Sequence, residues 1–343
     1  MNRVRSVRNT VRVSRGAEVE SVHRVNGIVV GLDGDEEAQF GDSELLAFWR
    51  SAMKPFQALP LLADGVTQAY DWGPAELALC CASHDGTPLH VAGVNSMLGK
   101  LGLFSGQLEC GVHPPYDEPS AEAILRAGGQ FTPVHNNCSG KHTGMLALAL
   151  FHGWPLRGYP GRDHPVQARI RRELADWLDV DPDILRWAID GCGVPTPYLS
   201  LRQMARAYAR LGRAGAAGDT GPSEVVSAMT GRPELVSGEG SFSTRLMQAT
   251  DGRVLGKEGA EGVFCAAGPR DGWGLAVKIG DGATRAAAPA VIRILETLDL
   301  LQEAESERLA DLREPFVLNR HGKKVGSVRA DVHPRVVPVP ARL

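Results

Sequence analysis

NGIVVGLD (26–33), with the turn GDEE (34–37) and AQFGD (38–42) after it, reads as a β-hairpin: an apolar run, a polar turn, a return. Comparable strand character comes back only far down the chain, in VFCAA (263–267) and WGLAVKI (273–279), before a helix at VIRILETLDLL (291–301). The middle is helical in pattern. Val166, Ile170, Leu174 and Trp177 share one face behind Pro165. Leu201, Met204, Ala205, Tyr208 and Leu211 share another, with Gly212 as the expected stop and GRAGAAGDTGPS (212–223) as an exposed loop. Strands at both ends around a helical middle favour an α+β, sandwich-like fold over alternating βαβ units. Its sheet is built from N- and C-terminal strands and is antiparallel in part.

The 343 residues are 43% apolar and 22% charged, ordinary for a globular chain and sufficient for a sizeable core. Lys plus Arg total 37 against 40 Asp plus Glu, a net charge of −3. That balance gives no general attraction to nucleic acid or to an anionic membrane surface. No apolar run approaches the ~20 residues of a membrane span. None follows the Arg-rich start MNRVRSVRNTVRVSR, as an export leader would require. Residues 1–16 are expected as a solvated basic arm, 17–330 as a single domain with two lobes, and 331–343 as a Pro-rich tail or edge strand. Cys80, Cys81, Cys110, Cys138, Cys192 and Cys265 are scattered and fit a reducing, cytoplasmic compartment, which leaves them packing, catalysis or metal binding.

Five segments carry reactive side chains. RSAMKPFQALPLL (50–62) holds Ser51 and Lys54 as S-x-x-K, on one face if a helix begins near Ser51. A serine hydroxyl needs a base beside it, and a lysine serves only when burial or a second cation lowers its pKa. The competing reading is a helix cap and a surface charge, which the apolar run behind the motif disfavours. LALCCASHDG places Ser83, His84 and Asp85 after a buried segment; neighbours in sequence do not form a serine triad, and a polar loop is the plain alternative. HNNCSGKH brings His135, Cys138, Lys141 and His142 into eight residues, and a helix from Ser139 would put Cys138, Lys141 and His142 near one face. IDGCGVPTPYLSL presents Asp190 and Cys192 in a stiff Gly- and Pro-rich loop; two Cys with His or Asp nearby suit Zn²⁺, although the spacing matches no zinc finger. VLGKEGAEGVFCAAG sets Lys257 in a Gly-rich turn before a strand, and Lys278 sits in WGLAVKIGDG; alone, each reads as an ordinary surface charge.

S-x-x-K with a late K-x-G lysine resembles the penicillin-recognising hydrolases and the related glutaminases. RSAMKPFQALPL, CASH, HNNCSGKHTGML, DGCGVPTP, SGEG and GKEGAEG, in that order over roughly residues 17–290, are more similar to the class 3, Rhizobium-type L-asparaginases. The resemblance implies a serine β-lactamase-like fold and two Ser-Lys pairs, Ser51 with Lys54 and Ser83 with Lys257, Ser51 being the nucleophile on the side-chain amide. It also implies a zinc site on Cys138, Lys141 and Cys192, with Arg50, His142 and Asp190 beside it as substrate-binding residues. The activity implied is hydrolysis of L-asparagine to L-aspartate and ammonia, by a cytoplasmic enzyme expected as a homodimer with no nucleic-acid or membrane partner. The rivals are a β-lactamase- or glutaminase-like enzyme acting on another amide, and a non-catalytic zinc-stabilised binding protein. Ser241 and Ser243 in SGEGSFST depart from the family pattern, which has Arg where Ser241 stands.

Overall fold

The computed structural model describes residues 9–31 and 36–336. Twelve strands form among them: β1 (Thr10–Arg15), β2 (Glu18–Val30), β3 (Glu36–Phe40), β4 (Leu46–Phe48), β5 (Arg186–Ile189), β6 (Pro195–Ser200), β7 (Leu255–Gly259), β8 (Val263–Gly268), β9 (Trp273–Ile279), β10 (Phe316–Leu318), β11 (Lys324–Asp331) and β12 (Arg335–Val336). Nine make the main sheet, in the order β10-β11-β1-β2-β9-β8-β7, with β3 also on β2 and β12 on β3. All these pairings are antiparallel, and the two ends of the chain meet in the middle: Val25 of β2 faces Ile279 of β9. The fold is α+β, as the strand distribution implies.

Alternation along β2 builds two layers of core. Ile28 and Val30 point to one side, where Met204, Ala205, Tyr208 and Leu211 of the helix Leu201–Ala217 cover them. Val25 and Val29 point to the other, under Ala290, Val291, Ile294 and Leu295 of the helix Ala287–Thr297. The first layer continues without a break into the helical middle, through Trp49, Phe56, Leu79 and Leu146. A small sheet, β4-β6-β5, caps this helical part.

The 26–42 hairpin forms, with Gly27 opposite Phe40; its turn at 32–35 lies outside the described residues. Within the stretch expected as a solvated arm, residues 10–15 are instead β1, while 1–8 lie outside the described residues. Val11 and Val13 are buried beneath the second helix layer. At ~1.5–3 kcal/mol for each buried side chain of this size, they outweigh the solvation preference of Arg12 between them, whose side chain stays partly exposed. Gly212 does not stop its helix. It is buried against Ala267 and Pro269, and the helix runs on to Ala217, where Gly218 takes the left-handed conformation that ends it (φ 81°). In the Pro-rich tail, Arg335–Val336 pairs with β3, and 337–343 lie outside the described residues.

Four elements converge at the seam between sheet and helical layer. A 3-10 turn, Arg50–Met53, rests on edge strand β7 and feeds the buried helix Lys54–Ala63. The helix Pro74–Cys80 is followed by the irregular CASHDG segment, residues 81–86. The helix Ser139–Phe151 starts one residue after Cys138. It can lie against the end of the Pro74–Cys80 helix because residue 140 is glycine: a methyl group there would overlap the Leu79 carbonyl.

Candidate functional site

Ser83 is held by two amines. Lys54 Nζ lies 2.8 Å from Ser83 Oγ and Lys257 Nζ lies 2.9 Å from it, although 174 residues separate Ser83 from Lys257. Lys54 is fully buried and also donates to the Ala82 carbonyl at 2.5 Å and to Cys138 Sγ at 3.2 Å. Three acceptors take the three protons of an ammonium group. Lys257 is equally buried and donates to the Glu258 carbonyl at 3.0 Å. Burial, and then the neighbouring Lys54 charge, pull its pKa down to about 7. One amine beside Ser83 is therefore placed to give a proton and the other to take one.

Ser51 does not pair with Lys54 as its spacing suggests. Its turn is 3-10, the Lys54 amine goes to Ser83, and the Ser51 hydroxyl has no hydrogen-bond partner among the described residues. The residue before it, Arg50, has a left-handed backbone (φ 55°), costly for a side chain of this size. Its N–H is held by Thr196 Oγ1 at 3.0 Å, and its guanidinium reaches Asp190 at 2.9–3.0 Å. Asp190 stays below the ordinary carboxylate range: burial pushes it up, and Arg50 overrides this, helped by the Gly191 N–H at 2.6 Å. Arg50 and Asp190 thus hold each other at the rim.

Behind Lys54 lie the sulfur atoms. The Cys138 pKa falls well below that of a free thiol, because the Cys192 thiol donates to it and Lys54 and Lys141 add positive charge, against the cost of burial. Lys141 Nζ sits 2.9 Å from Cys192 Sγ. His142, one residue on, shares a hydrogen bond between Nδ1 and the Tyr159 hydroxyl at 2.7 Å, and its Nε2 is buried with no partner. Burial, then Lys141 and Lys54, drive its pKa well down, so the ring is neutral. The HNNC loop is fixed by Asn136, which donates to the Cys110 carbonyl and accepts the Cys138 N–H, and by the Asn137 N–H on His113. Among the described residues no group of three or more His, Cys, Asp and Glu converges for a metal, so the expected set depends on Lys141 as third donor.

A family model described as L-asparaginase II matches residues 11–330. The chain belongs to the L-asparaginase II family. That membership makes it an amidohydrolase of the L-asparaginase kind, with a small-molecule substrate, and it agrees with the resemblance to the class 3 enzymes. No curated protein matches the chain. Among the described residues, no helix is long and apolar enough to cross a membrane.

Of the ten expected site residues, hydrogen bonds tie Lys54, Ser83, Lys257 and Cys138 into one group, Lys141 to Cys192, and Arg50 to Asp190; the Ser51 and His142 side chains join none of these groups. Lys278 does not join them; its amine turns back to the Ile279 carbonyl. Ser241 caps the helix Phe242–Ala249, and Ser243 binds Glu258 through both its hydroxyl and its N–H, at 3.0 and 3.1 Å. Asp85, Glu258, Thr196 and Tyr159 were not singled out as site residues. Asp85, Glu258 and Thr196 stand inside the quoted motifs LALCCASHDG, GKEGAEG and DGCGVPTP, a signal that could have found them; Tyr159 stands in none.

Proposed function

We propose that the protein hydrolyses L-asparagine to L-aspartate and ammonia through a serine acyl-enzyme, with Lys257 as the base. The observation that carries this is Ser83 Oγ suspended between Lys54 and Lys257. In the sequence reading Lys54 activates Ser51. The three acceptors around Lys54 favour a different division of labour, in which Lys54 stays an ammonium and Lys257, near neutrality, takes the proton from Ser83. Ser51, whose hydroxyl is not held by another bond, attacks the amide carbon once bound substrate brings it beside Ser83, and passes its proton by way of Ser83 to Lys257; the same proton goes to the leaving ammonia, and water then releases L-aspartate. A second reading exchanges the serines. It is favoured by one fact: Ser83, and not Ser51, touches both amines.

The donor set at Cys138, Lys141 and Cys192 fits zinc once Lys141 gives up its proton: two sulfur ligands, an amine 2.9 Å from one of them, and beside them a buried His142 Nε2 in want of a partner. Those three residues would hold the ion. When bound, zinc supplies a fixed positive charge that orients the substrate. Cytoplasmic location and homodimer assembly complete the proposal, resting on the Cys usage and on the resemblance.

Ammonia release from L-asparagine, L-glutamine and a chromogenic lactam, with and without chelator, tests the activity and its substrate. L-asparagine should be turned over fastest. No release from any of the three by folded protein would leave the zinc-stabilised binding protein as the better reading. Ser51→Ala and Ser83→Ala should each lower turnover by about 10²–10⁴-fold. Mass spectrometry of a trapped acyl-enzyme identifies the serine that carries the acyl group.

A further inference from the structure

The CASHDG segment belongs to neither helix nor strand, and its backbone is fastened on both sides: the Ser83 N–H to the Val236 carbonyl at 2.8 Å, the His84 N–H to the Asn137 carbonyl at 3.1 Å. Its side chains alternate accordingly. Ala82, His84 and Gly86 are buried, while Ser83 and Asp85 are half-open to the other side. The Lys257 amine that holds Ser83 also faces Asp85, so the Asp85 carboxylate stands on the same side as Ser83, two residues away. It lies over Gly238, where the φ of 142° and the contact with Asp85 Oδ2 both exclude a side chain. The SGEG motif thus leaves room for this carboxylate.

Asp85 has no hydrogen bond or ion pair through its side chain among the described residues. The charged groups facing it are the Glu258 and Asp117 carboxylates and the Lys257 amine. Burial, then Glu258 and Asp117, raise its pKa to about 6, so near pH 7.5 it is an anion among anions, with one weakly charged amine for company. Such a site wants a cation. L-asparagine offers one, its α-ammonium; its α-carboxylate would be repelled and its amide belongs at the serines.

We propose that Asp85 binds the α-ammonium group of the substrate and so selects α-amino acid amides over amides that lack the amino group. This rests on the asparaginase reading of the same cleft. Succinamate, which is asparagine without its amino group, is the discriminating probe. In Asp85→Asn, the ratio of kcat/KM for L-asparagine to that for succinamate should fall by about ten- to a hundredfold, mostly through KM for L-asparagine. Asp85→Ala should show the same fall and serves if Asp85→Asn misfolds; Asp85→Glu, which keeps the charge, should recover part of the ratio. A ratio within threefold of wild type in a folded variant overturns the proposal. Calorimetry with L-aspartate and succinate gives a second readout that needs no turnover. Wild type should prefer L-aspartate and Asp85→Asn should not. If the protein releases no ammonia, the activity reading falls, and the calorimetric preference still decides the role of Asp85: wild type that binds both ligands alike, or neither, overturns it.

Discussion

A lysine that must be neutral to work leaves a mark on the pH profile. With the Lys257 pKa near 7, kcat/KM for L-asparagine should rise about tenfold per unit below that value and level off above it. The sign for stability follows the same group. Between about 7 and its ordinary 10.5, the unfolded chain holds a proton on Lys257 that the folded chain has shed, so this residue makes stability climb with pH across that window. Lys257→Met should remove that part of the climb as well as the activity. Urea denaturation of both proteins at pH 7, 8.5 and 10 checks it, and parallel curves would remove Lys257 as the source. The reactive residue types were legible in the sequence because their chemistry is intrinsic. Their partners were not. S-x-x-K spacing puts Lys54 one turn from Ser51, but the amine follows its acceptors, and these come from Ala82, Ser83 and Cys138, which only the tertiary fold brings near.

Between elements, the contact that sets the site is helix against helix. The segment carrying Cys138, Lys141 and His142 meets the segment leading to Ser83 at Gly140, packed on the Leu79 carbonyl. Alanine is the better helix former by about 1 kcal/mol, so propensity alone would make Gly140→Ala stabilising. Overlap with a backbone oxygen in a packed interior costs about 1–3 kcal/mol, and it wins because neither backbone can turn aside. Gly140→Ala should therefore lower stability by about 1–2 kcal/mol with an unchanged urea m-value, and should cut turnover by spreading Ser83 from Lys54. A stabilised, fully active variant would show that the two segments have slack. The start of this helix was legible from the run of small polar residues before GMLALALF. The end of the Leu201–Ala217 helix was not, since a glycine at a tight crossing and a glycine at a helix end look alike until the neighbour is known.

For the whole molecule, the sheet made from both ends was readable because apolar alternation survives any distance along the chain. What escaped was β1, whose TVRVSR alternates Val with Arg and reads by charge as a solvated arm. Its two buried valines sit between β2 and β11. Deleting residues 1–15 should expose two long strand edges at once and make the protein aggregate. Size-exclusion chromatography of the truncated chain checks this, and an unchanged elution profile with native melting would show that β1 is dispensable.

The meeting of Val25 with Ile279, and of Thr10 with Asp331, also sets a schedule for synthesis. A ribosome delivers β1 and β2 early, and their sheet partners β9 and β11 emerge only when most of the remaining chain has been made. At ~5–20 residues per second, β2 waits many seconds with one edge open. Local helices can form meanwhile, but the seam around Ser83 cannot, because Lys257 arrives almost as late as β9. The nascent chain is thus inert toward substrate and most exposed to mispairing over the same interval, and it leaves both conditions in one step.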